Sequence, residues 1–169
     1  KKPKKNQKKK KRIKKMSKID ELIKKLEIAL PTPPSPVGNY VAHTIVNNLV
    51  YISGQLPLNS KGELTLGKLG DNLTLEQGKE AAKLCILNSI GHLKNAVQDL
   101  DKVKKCIKIN GYVNCTKDFK DHPLLLNAAS DILVQIFGDK GKHTRAVVGV
   151  ESLPLGAAVE IEALFEIEN

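Results

Sequence analysis

Between His143 and Glu162 the chain reads HTRAVVGVESLPLGAAVEIE, two β-branched runs separated by Leu-Pro-Leu-Gly. The runs are too short and too rich in valine and isoleucine for helices, and the connection carries turn residues, so two antiparallel strands near the carboxyl end are predicted. Arg145 opens the first run. Glu160 lies between Val159 and Ile161 in the second, so a two-residue alternation turns Glu160 and Glu162 to one face and the aliphatics to the other. A guanidinium and a carboxylate on such a pair would share a sheet face, as a cross-strand surface ion pair or as parts of a site.

Upstream, the apolar spacing switches between the helical and the extended period. Ser17 with Asp20 three residues on resembles a helix start, and Ile19, Leu22, Ile23 and Leu26 follow at helical spacing, predicting a short helix over 18–28. PTPPSP at 31–36 breaks it and leads on as an extended linker. Residues 40–46 and 49–53 read as strands around Asn47-Asn48, a pair that tolerates the positive φ of a tight turn. Thr74 and Gln77 match a capping box, and Ala82, Ile86, Ile90, Leu93 and Val97 form one apolar stripe, which predicts a long helix over about 75–98. Residues 106–115 alternate as a strand, with Ile107, Ile109 and Tyr112 as its apolar members. Asp121 with Pro123 starts a second long helix that runs to Phe137 and stops at Gly138. The order β-β-α-β-α-β-β implies an α+β domain: a mixed sheet with both principal helices on one face.

The net charge of +10 suggests nucleic acid until it is located. Residues 1–15 hold 11 of the 28 basic side chains and no acid, leaving 17 basic against 18 acidic elsewhere, a net of −1. That tract cannot bury apolar area and repels itself, so a disordered tail over 1–16 is expected; it is either a solvated extension or a contact for RNA or an anionic surface. Residues 17–36 then form the helix and Pro-rich linker, and 37–169 the folded domain. Cys85, Cys106 and Cys115 show neither CxxC nor zinc-ligand spacing and read as reduced core thiols of a cytoplasmic protein. His43, His92, His122 and His143 are scattered, so no metal site is expected. No apolar run approaches the length of a membrane span.

Three stretches carry a family resemblance in the family's order: GNYVAH at 38–43 with YISGQLPL at 51–58, Asn127 in an amphipathic segment, and R-x-x-V-x-V-x-x-LP-x-G-A-x-VEIEA from Arg145. Over about 37–167 the chain resembles the YjgF/RidA superfamily of reactive intermediate deaminases, also known as perchloric-acid-soluble endoribonucleases. The resemblance implies a chorismate-mutase-like fold, a homotrimer, and one cleft at each subunit interface. It also implies hydrolysis of 2-imino or 2-enamino acids to 2-oxo acids and ammonia without a cofactor, a metabolite damage-control role against products of PLP-dependent dehydratases. On this carry-over Arg145 binds the substrate carboxylate, Glu160 assists the water, and Tyr40, Ser53, Gly54, Asn127 and Val147 line the pocket. Val147 departs from the cysteine common in deaminases at that position. The 59–73 connection and the segment 117–126 are longer than in compact members, which bears on substrate identity. Two alternatives stay open: an endoribonuclease-like or RNA-binding inhibitor of translation, and a ligand-binding trimer without turnover.

Overall fold

The computed structural model describes residues 16–33 and 38–168, so the lysine-rich stretch 1–15 and part of the Pro-rich linker lie outside the described residues. Its elements run α1 (Lys18–Lys25), β1 (His43–Val46), β2 (Leu49–Gln55), α2 (Leu75–Val97), β3 (Val103–Asn114), α3 (His122–Phe137), β4 (Thr144–Val150) and β5 (Val159–Ile167). The five strands form one sheet in the order β1-β2-β5-β3-β4. All neighbours are antiparallel except β3 and β4, which run parallel. A parallel pair needs a crossover connection, and α3 supplies it. Both long helices share one face of the sheet. There the α2 stripe Ala82, Ile86, Ile90, Leu93 and Val97 is buried together with Leu125 and Leu133 of α3 and Val50, Ile109, Val113, Ile161 and Phe165 of the strands.

Local chemistry explains most element ends. Thr74 and Gln77 close the expected capping box on α2. The Ser17 hydroxyl accepts from the Asp20 amide at the start of α1. α1 ends at Lys25, short of the predicted 28, because Leu26 caps it and Glu27 turns to φ 55. Asn47 takes the positive φ of the β1–β2 turn at 54°. Only His43–Val46 of the predicted 40–46 strand pairs with β2. Asp121 sits at the α3 N-cap without a side-chain cap bond, while Pro123 occupies the first turn.

The main departure concerns the last two strands. They are not neighbours, since β3 lies between them, hydrogen-bonded to β4 on one side and β5 on the other. β4 is therefore an edge strand. All three cysteines are free and buried, as expected of core thiols; burial pushes the Cys106 thiol up to about 12. Among the described residues no helix is long and apolar enough to cross a membrane.

Candidate functional site

Strand register decides which side chains can meet. Arg145 lies beside Ile109 of β3, and Glu160 lies beside Tyr112. Ile109 and Tyr112 are three residues apart with no bulge between them, so they face opposite sides. Ile109 is buried under the helices; Arg145 thus points to the helix side and Glu160 to the open side. The shared face expected for the pair is overturned, because that expectation placed β4 next to β5.

On the helix side, Arg145 is held by neutral groups. Its Nη2 donates to Asn127 Oδ1 at 2.8 Å and its Nη1 to Ser130 Oγ at 3.0 Å. Asn127 and Ser130 are three residues apart on α3 and so share a helix face. Among the described residues no carboxylate lies within ion-pair distance of Arg145, leaving its charge uncompensated. Val147 follows Arg145 on the same side of β4 and packs over Gly111, beside Leu126. Arg145, Asn127 and Val147 thus come together on this side.

The open side carries the other group. β2 bulges between Ile52 and Gln55, where it faces Ala163 and Ile161 of β5. Such a bulge re-aims side chains locally. It brings Gly54 against Glu160 so closely that a Cβ there would overlap the Glu160 carboxylate and stand 2.9 Å from its Cδ. Burial, then the neighbouring Glu162 charge, pushes the Glu160 carboxyl above its ordinary value. Glu162 is tied down, accepting from Asn110 Nδ2 at 2.6 Å and Tyr112 Oη at 3.3 Å. Glu160 has no hydrogen-bond partner among the described residues. The Ser53 hydroxyl donates to the Val41 carbonyl at 2.7 Å, which fixes the segment that follows Tyr40. Tyr40 itself is 56% exposed. A concavity of about 380 Å³ next to this group is lined by Val41, Tyr51, Ser53, Lys108, Asn110 and Glu162, among others.

Within one chain, then, the expected site residues form two clusters on opposite faces: Arg145, Asn127 and Val147, and Ser53, Gly54 and Glu160 with Tyr40 nearby. Three further residues belong with them. Ser130 and His143 support Arg145, and Tyr112 stands across from Glu160. The i, i+3 spacing of Asn127 and Ser130 is the signal that points to Ser130. Among the described residues no group of three or more histidine, cysteine or acidic side chains is placed to hold a metal ion.

This strand order, backed on one face by α2 and α3, defines a chorismate-mutase-like α+β domain. The chain belongs to the YjgF/chorismate mutase-like, putative endoribonuclease family, whose model matches residues 21–167. It is 40% identical over 148 residues to Protein TCP17 of Trypanosoma cruzi, covering 87% of this chain and 92% of that one. It is 30% identical over 143 residues to a 2-iminobutanoate/2-iminopropanoate deaminase of Dermatophagoides farinae, covering 83% and 95%. The crystal structure of protein Atu1372, of unknown function, from Agrobacterium tumefaciens superposes with a TM-score of 0.81 at 39% identity, over 89% of this chain and 94% of that one.

Proposed function

We propose that the protein hydrolyses 2-imino or 2-enamino acids to 2-oxo acids and ammonia. The observation that carries this reading is the state of Arg145: a guanidinium held by Asn127 and Ser130, both neutral, with no carboxylate to neutralise it among the described residues. A planar fork of that kind suits a substrate carboxylate. Glu160 supplies the complementary group. Its raised carboxyl is suited to take a proton from water as the oxygen attacks C2 of the imine, forming a C–O bond while the C=N π pair moves to nitrogen. In the adduct the proton held by Glu160 passes to nitrogen; the C–N bond then breaks as the hydroxyl oxygen's electron pair forms the C=O bond, the hydroxyl proton also passes to nitrogen through Glu160, and ammonia and a 2-oxo acid result. The naming of two relatives as 2-iminobutanoate/2-iminopropanoate deaminases supports the same chemistry.

Because Arg145 and Glu160 face opposite ways, the reading requires one chain's Arg145 cluster to meet another chain's Glu160 cluster. A homotrimer closed head to tail does this three times over. Exposed apolar side chains are available to such a junction: Tyr40, Val41 and Tyr51 near Glu160, Val148 on the same open face of the edge strand, and Leu155 after β4. Ribonuclease chemistry is less well served. RNA cleavage wants a free acid and base, and both ring nitrogens of His143, the imidazole linked to Arg145 through Ser130, are engaged.

The test is ammonia and 2-oxo acid release from freshly generated 2-iminobutanoate, run beside an RNase assay on the same preparation lacking residues 1–15. Wild-type protein should accelerate the first. Arg145→Lys should lose most of the rate with the fold intact, since it keeps the charge but not the fork. Glu160→Gln should lower kcat while largely sparing KM. Wild-type rates in both variants would remove the pair from the mechanism.

A further inference from the structure

Arg145 does not rest on Ser130 alone. Ser130 Oγ lies 3.0 Å from His143 Nε2, and His143 Nδ1 lies 2.6 Å from the Gly141 carbonyl oxygen. The carbonyl can only accept, so Nδ1 carries the ring proton, and in a neutral imidazole Nε2 is then an acceptor. That acceptor takes the Ser130 hydroxyl hydrogen. The hydroxyl oxygen thereby turns its lone pairs to Arg145 Nη1, which donates to it. Donors and acceptors along the chain Arg145–Ser130–His143–Gly141 are thus matched in one direction only.

We infer that Ser130 and His143 are positioning residues that orient the Arg145 guanidinium for an anionic ligand without spending its charge. A long cationic side chain is ordinarily free, and ordering it opposes binding. Two routes could hold it. An acidic partner would fix it but cancel the charge the ligand needs, whereas a serine oriented by a backbone-anchored histidine fixes it and leaves the charge available. Asn127 completes the cradle: arginine only donates, so the contacting atom must be Oδ1. The short turn at Gly138–Gly141 between α3 and β4 supplies the terminal carbonyl, which ties the helix, the turn and the edge strand to one guanidinium.

The inference rests on the carboxylate reading of Arg145, so its test has an arm that needs no turnover. In the full chain with isotope-labelled histidine and arginine, long-range proton–nitrogen spectra should show His143 as the Nδ1–H tautomer. The Arg145 Nη hydrogens should exchange with solvent faster in Ser130→Ala than in wild type. In kinetics, Ser130→Ala and His143→Phe should raise KM for a 2-imino acid by about tenfold or more, with kcat moved far less. Ser130→Thr, which keeps the hydroxyl, should restore it. Adding Ser130→Ala to Arg145→Ala should cost nothing further, because the serine acts through the arginine. An Nε2–H tautomer, unchanged exchange in Ser130→Ala, or an equal loss in the Arg145→Ala background would each overturn the relay. If wild-type protein hydrolyses no imine, the functional reading falls, and the spectra alone decide whether the relay exists.

Discussion

Glu160 sits where ionisation is opposed by burial and by Glu162. Its folded pKa therefore lies above the unfolded value, and the protonated form is the one the fold favours. The resulting stabilisation is complete below the ordinary carboxylate range and is lost as pH rises through the raised folded value. At neutral pH the ionised side chain is thus a cost, one consistent with a functional position. Glu160→Gln should raise Tm at neutral pH, with the gain fading in acid, as read by thermal unfolding; a lower Tm at neutral pH would contradict this account. Gly54 is the matching constraint in β2. Gly54→Ala places a methyl on the Glu160 carboxylate and forces it aside, so turnover should fall by about tenfold to a hundredfold while the far-ultraviolet circular dichroism is unchanged.

At the scale of elements, what the sequence made readable was local. The α2 start was legible because Thr74 and Gln77 act within one turn, and the apolar stripe that follows has a single period. Alternation in β4 and β5 was equally legible, yet it fixes only which residues of one strand share a face. The relation between Arg145 and Glu160 depends on β3 being inserted between their strands, a long-range pairing that no spacing near 143–162 encodes. Candidate residues could therefore be named while their arrangement could not. The relay behind Arg145 was hidden for a similar reason: Ser130 is one of several polar residues of α3, beside Asp131 and Gln135, and nothing marks it out until β4 is placed next to it. α1 shows another non-local device. An eight-residue helix is marginal alone, and here the Lys18 and Ile19 amides donate to the Asp101 carboxylate at 2.9 Å each, while Lys94 pairs with Asp20 at 2.6 Å. Asp101→Ala should cost about 1 kcal/mol and speed amide exchange through Lys18–Lys25 without affecting α2. Unchanged exchange there would mean that Ile23, buried in the core, anchors α1 by itself.

At the scale of the whole molecule, a site divided between two faces of one sheet predicts complementation. Arg145→Ala and Glu160→Gln chains should each keep only a small residual activity alone. Co-expressed at equal levels and purified as mixed assemblies, they should recover about a quarter of wild-type activity, the chance that a head-to-tail junction receives both intact groups. Mixed assemblies that stay inactive, or a monomeric mass by light scattering, would argue that the site is not shared. The anchoring of α1 has a consequence for anything joined to the amino end. Lys18 and Ile19 are bonded to Asp101, at the turn between α2 and β3, so the start of α1 is fixed on the helix layer and not on the open face of the sheet. A reporter joined ahead of Met16 would therefore start from the helix layer, away from the open face that carries Glu160 and the concavity beside it.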